Sequence, residues 1–155
     1  MMEMPKLLDE HRKLKTLAGN WVGEEKIHPS PWDPRGGHAT SRFQARVDLD
    51  GFFVVADYVQ ERGGQAVYRG HGVFGYDQGQ KSYTMHWFDS MGGGAPAPVL
   101  GKWEGNRQRF EGSHPMGHSR YTYVFEGGDL YGFTIEGSQD GATWAPFIEG
   151  KYTRK

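Results

Sequence analysis

From Asn20 to Arg154 the chain alternates apolar and polar residues with a period of two, broken by glycine-rich turns about every ten to fifteen residues. Ahead of this stretch the period is nearer 3.6. Met4, Leu7, Leu8, Leu14 and Leu17, separated by Asp9, Glu10, Arg12, Lys13 and Lys15, predict one amphipathic helix over 4–17, with Pro5 in its first turn and Gly19 after its end. The alternation predicts ten strands near 20–28, 39–48, 52–61, 65–76, 81–90, 97–104, 107–113, 117–126, 129–137 and 143–154. The turns between them carry suitable chemistry, among them Asp48-Leu49-Asp50-Gly51, Glu61-Arg62-Gly63-Gly64, Glu104-Gly105-Asn106 and Asp140-Gly141. The longest connections, His28 to His38 and Met91 to Pro98, are too short for a crossover helix, so neighbouring strands are antiparallel.

Many hairpin-linked strands must hide their edges, and closure into a barrel does so completely. The expectation is an all-β chain, an up-and-down barrel over 20–154 in a single domain spanning 1–155, with the helix covering its floor. Alternation assigns the faces. The first strand sets Trp21, Gly23, Glu25 and Ile27 against Val22, Glu24, Lys26 and His28, which turns the Glu25 carboxylate inward. In the last strand Trp144, Ile148, Tyr152 and Arg154 share a face. Closure brings the end of that strand beside the start of the first, where Arg154 can stack on Trp21 and seal the floor. Tyr121-Tyr123-Phe125 and Tyr131-Phe133-Ile135 are both apolar sets, of which one is expected to line the interior and the other to need a cover, so a homodimer through 117–137 is a candidate partner surface.

Composition narrows the partners. Eighteen basic against nineteen acidic residues give a net charge of −1, without the excess that a nucleic-acid backbone attracts. There is no cysteine, which excludes disulfides, thiolate metal sites and cysteine nucleophiles. The opening Met-Met-Glu-Met-Pro-Lys lacks an apolar leader core and no run reaches the ~18 residues of a membrane span, so a cytoplasmic protein is expected.

With Gly19-x-Trp21 on the first strand and Arg154 on the last, the chain resembles the calycin superfamily, which includes lipocalins, fatty-acid-binding proteins and nitrobindin-like barrels. Leu17-Ala-Gly19-Asn-Trp21, Gly75-Tyr76-Asp77, Trp87-Phe-Asp89-Ser90 and Tyr152-Thr153-Arg154 make it similar, over nearly the whole chain, to an uncharacterised bacterial family of about this length. That resemblance implies the fold and no activity. The nitrobindin-like branch implies haem held by a histidine in the C-terminal part of the chain. No histidine follows His118, so no haem or other cofactor is expected.

The interior of such a barrel is expected to bind a small apolar molecule. Phe43, Tyr58, Tyr83, Trp87, Trp103 and Trp144 are the candidate apolar walls, Glu25 the polar handle and Asp89 a rim residue. A Glu25 paired with an inward Arg or Tyr is the purely structural alternative. A second reading is an enzyme using Glu25 or an inward His as acid or base, and a third is a structural dimer with a filled barrel. Pairing Tyr76 with Lys81 would set His71 opposite His86, close enough to share a metal, but their faces put the pair on the outer surface unless a bulge at Gly70, Gly72 or Gly75 exchanges them. Ser90 lacks a nucleophile's frame, and Gly92-Gly93-Gly94 opens no helix, which makes it a mouth loop rather than an anion cradle.

Overall fold

A computed structural model describes residues 2–31, 33–94 and 97–155, so the Met91 to Pro98 connection falls partly outside the described residues. The strands are β1 (Gly19–Ile27), β2 (Gly37–Asp48), β3 (Phe53–Arg62), β4 (Gln65–Asp77), β5 (Ser82–Asp89), β6 (Val99–Glu104), β7 (Arg107–His114), β8 (Gly117–Glu126), β9 (Leu130–Ser138) and β10 (Ala145–Arg154). Each pairs antiparallel with its neighbours in sequence, and β10 returns to β1, which closes a ten-stranded barrel with no free edge. The closing register pairs Trp21 with Arg154 and Ile27 with Ile148.

The opening helix is shorter than its periodicity predicts. An α-helix α1 covers only Asp9–Lys13 and continues as a 3₁₀ turn over Leu14–Leu17. Leu8 is extended and has no oxygen to cap the helix, and its amide instead donates to the Nδ1 atom of His11 at 2.9 Å. So short a helix is held by packing rather than propensity. Leu14 and Leu17 are fully buried, and the Tyr83 hydroxyl donates to the Glu10 carbonyl at 3.1 Å. No helix among the described residues is long and apolar enough to cross a membrane.

β1 rises from the helix, so the starts of β1, β3, β5, β7 and β9 form the floor and their ends the upper rim. The floor is packed. Trp21 is 1% exposed, meets the Tyr131 ring edge-on at 4.7 Å, donates from its indole to the Leu17 carbonyl at 3.0 Å, and carries the Arg154 guanidinium 4.2 Å over its ring. Arg154 also donates to the carbonyls of Ala18 and Gly128. The seal read from two isolated residues is one contact.

Three expectations change at the level of register. Tyr121 pairs with Ile135, Tyr123 with Phe133 and Phe125 with Tyr131, and paired residues share a face, so both aromatic sets point inward. Neither needs a cover, which removes the reason for a dimer through 117–137. Lys81 adopts a left-handed φ of 51° and belongs to the turn, so Tyr76 pairs with Tyr83 and His71 faces Phe88 rather than His86. Both histidines lie on the outer face, His71 against Asp57, and no metal-binding cluster is found among the described residues. Trp144 precedes β10, whose register shifts between Pro146 and Ile148. The shift breaks the alternation, and Trp144 stacks on Arg120, which is outward on β8 and paired with Glu136.

Gln108 is an exception inside the wall. It is 0% exposed and neither atom of its amide has a hydrogen-bond partner among the described residues. Replacing it by leucine removes an unpaired buried amide, so Gln108→Leu is expected to raise stability by about 1 to 3 kcal/mol in denaturant titration; a loss of that size would mean the amide is satisfied in solution.

Candidate functional site

The interior divides into two unlike halves. Towards the floor the inward side chains Trp21, Phe74, Phe110, Tyr131 and Tyr152 are fully buried and fill the barrel. Towards the rim Ile27, Ala39 and Ile148 are buried on the β1, β2 and β10 side with Ile135 packed against them, while the inward Tyr68, Trp87, Val99, Tyr121 and Phe133 are only partly buried, which leaves an aromatic cup facing solvent at the end away from the helix.

Glycines shape its wall. A Cβ at Gly70 would lie 2.2 Å from the Trp87 ring and one at Gly72 3.0 Å from it, so these two inward positions on β4 give the indole a flat seat against backbone. Neither glycine forms a bulge; the irregularity of β4 lies higher, opposite Gln60 and Glu61. From this seat the Trp87 indole donates to the Tyr68 hydroxyl at 2.8 Å, and that hydroxyl donates to Asp89 Oδ2 at 2.8 Å. Tyr58 meets both rings edge-on, at 5.9 Å from Tyr68 and 5.8 Å from Trp87. Alternation with Phe74, Tyr83, Met85 and Trp87 puts Tyr68 on the lining face, but nothing in the sequence singles it out from that face as a site residue.

Glu25 lies below this wall and is 2% exposed. Its Oε1 accepts from Ser41, from the Tyr58 hydroxyl at 2.8 Å and from the Gln60 amide at 3.2 Å; its Oε2 accepts from the Tyr152 hydroxyl at 2.5 Å. Every donor is neutral. Four donors on two oxygens suit a carboxylate, which only accepts. Gly23 and Gly150 leave room for the Tyr152 ring and the Glu25 stem beside it.

Burial pushes the Tyr58 and Tyr152 hydroxyls well above their ordinary value, and the Glu25 charge adds to the effect. Tyr83 is pushed up to about 12, by burial first and then by the charge of Glu10. A raised tyrosine pKa means that the folded state holds its proton more tightly, so this contribution is whole below pH about 10 and is lost as pH rises through 10 towards 12 and beyond. The barrel should therefore unfold in alkali, with absorbance at 295 nm and far-ultraviolet dichroism changing together. Tyrosine ionisation near pH 10 with the fold intact would contradict this.

The structure separates the candidate residues. Glu25, Tyr58, Trp87 and Asp89 come together in and below the cup, whereas Phe43 packs on Phe74 in the core. Tyr83 and Trp103, with ring centroids 5.7 Å apart, belong to the helix end, where Lys13 lies 5.2 Å over Trp103 beside an open cleft of about 380 Å³. Trp144 is outside the barrel. His28, His38, His71, His86 and His118 are on outward positions, His11 packs beneath the floor and His114 sits at the rim.

A closed ten-stranded barrel, with Trp21 under Arg154 at its floor, is the frame on which the comparisons bear. Residues 6–154 match the family model described as protein of unknown function, DUF1579. The chain belongs to the DUF1579 family. No curated protein matches this member. Among solved structures it is similar to Rv2717c from M. tuberculosis, with a TM-score of 0.70 and 13% identity over 97% of this chain and 99% of that one. It is also similar to the S-type phycobiliprotein lyase CPES from Guillardia theta, with a TM-score of 0.65 and 9% identity over 97% and 98%. At these identities the likeness is one of fold alone.

Proposed function

We propose that this DUF1579 protein binds a small, largely apolar molecule in the cup above Glu25. One observation carries the reading: five inward apolar side chains stay partly exposed together at the end away from the helix, whereas Trp21, Phe74, Phe110, Tyr131 and Tyr152 fill the barrel towards the floor. Tyr58, Tyr68 and Trp87 are the apolar wall, and Asp89 is a polar group at its rim. Glu25 holds the wall from beneath, through Tyr58, rather than serving as an open handle. Its hydrogen-bonding positions are taken by four protein donors, which favours this positioning role over general acid or base. A barrel of the same form is named as a phycobiliprotein lyase, which accords with ligand handling by this architecture.

The test is a titration with N-phenyl-1-naphthylamine, a neutral apolar fluorophore. Saturable binding of one molecule per chain, with quenching of tryptophan emission, is expected. Gly70→Ala, which pushes the Trp87 ring from its seat, should weaken binding at least about fivefold without loss of the fold. Binding that does not saturate, or that ignores this substitution, would reject the cup.

A further inference from the structure

We infer that the cup discriminates by charge, taking neutral or cationic aromatic molecules and rejecting carboxylates and other anions. The inference rests on the cup being the binding site and concerns what it selects. The charged groups that face this half of the interior can be named strand by strand.

β1 contributes Glu25 and β5 contributes Asp89. Neither carboxylate has a cationic partner among the described residues: Glu25 is met by two tyrosines, a serine and a glutamine, and Asp89 by the Tyr68 hydroxyl and the Met91 amide at 3.0 Å. The end of β3 contributes Arg62, whose Nη1 is 2.7 Å from Asp33 of the β1–β2 connection, so that rim pair brings no net charge. The end of β7 contributes the exposed His114, turned to the Ser119 hydroxyl at 2.9 Å. The Arg154 guanidinium is at the floor, over Trp21. The half-open aromatic wall therefore lies between two carboxylates and a self-neutralised rim pair.

Apolar walls lower the local dielectric and prolong the reach of both charges. An incoming carboxylate would be desolvated beside them with no unpaired cation to receive it, whereas an ammonium gains from both charges and from the electron-rich faces of Tyr68 and Trp87. At the same rim the Nη2 atom of Arg62 is buried with no hydrogen-bond partner among the described residues and is a donor that an anion could reach.

The probes are three molecules with one ring and different charge at pH 7: 2-naphthylmethylamine as the cation, 2-naphthalenemethanol as the neutral form and 2-naphthoate as the anion. Calorimetric titration into the full chain at low salt, with N-phenyl-1-naphthylamine as reference, gives four affinities. The amine and the alcohol are expected to bind, the naphthoate at least about tenfold more weakly than the amine, with the gap narrowing as salt is raised. Asp89→Asn keeps an oxygen for the Tyr68 hydroxyl but removes the charge, and should cut the amine-to-naphthoate ratio several-fold, a larger change than in the affinity for the alcohol. Naphthoate binding as tight as the amine's overturns the inference, and its loss in Arg62→Met would assign the anion to that guanidinium. If the reference binds while the three probes bind equally or not at all, the charge inference alone fails. If the reference does not bind either, the cup itself is wrong.

Discussion

Glu25→Ala is expected to destabilise the barrel by about 3 to 5 kcal/mol, because it removes the common acceptor of Ser41, Tyr58, Gln60 and Tyr152 and strands their donors in a buried site. Hydrogen bonds to a charged acceptor are the stronger kind, and the penalty of a buried unmade bond exceeds the gain of a made one. Glu25→Gln is the informative companion. Its amide oxygen can replace Oε1 as acceptor, and its NH₂ can donate to the Tyr152 hydroxyl, which is able to accept. A loss of about 1 to 2 kcal/mol is expected for Gln, with the tyrosines still protonated to high pH because burial is the first cause of their shift. Denaturant titration of both variants separates the two. If alanine costs no more than glutamine, the four donors have found other partners and the carboxylate does not organise the wall.

Trp21→Ala is expected to cost about 3 to 5 kcal/mol, since it empties the largest fully buried side chain at the floor. Arg154→Ala should cost about 1 to 3 kcal/mol, more than a cation–π contact alone, because the guanidinium also serves the Ala18 and Gly128 carbonyls. The double variant should fall short of the sum by about 0.5 to 2 kcal/mol, because the stacking contact is lost only once. Additive losses would show that the ring and the guanidinium do not stabilise each other, and the seam between β1 and β10 would then rest on its backbone pairing alone.

The barrel was legible in the sequence because every strand buries one face, so a period of two runs through nearly the whole chain. The Trp21–Arg154 contact was legible for a related reason: closure leaves only one place for the last strand. Errors arose where alternation loses its phase. The register shift between Pro146 and Ile148 sends Trp144 outside, and one left-handed Lys81 moves His71 away from His86. The two aromatic sets of β8 and β9 misled for another reason. A ten-stranded barrel has enough inner circumference to take both, which eight filled strands would not. Helix length was overestimated because periodicity records which residues are buried, and Leu7 and Leu8 can be covered without being helical.

The site was half legible. Alternation alone turns Glu25, Tyr58, Trp87 and Asp89 inward, but nothing in it tells the filled end of a barrel from the open one. Tyr83 and Trp103 were therefore grouped with residues at the opposite end. The paired inward glycines Gly70 and Gly72 were the signal that marks the open wall, since a missing side chain on two successive inward positions calls for a flat ring from the neighbouring strand.

The central claim is that ligand enters at the end away from the helix, and the most direct measurement is the set of intermolecular nuclear Overhauser effects from bound N-phenyl-1-naphthylamine. Contacts to the Trp87 indole and the Tyr68 ring are predicted, with none to Trp103 beside α1 or to Trp144 on the outer wall. Contacts to Trp103 or Trp144 in place of Trp87 and Tyr68 would contradict the account.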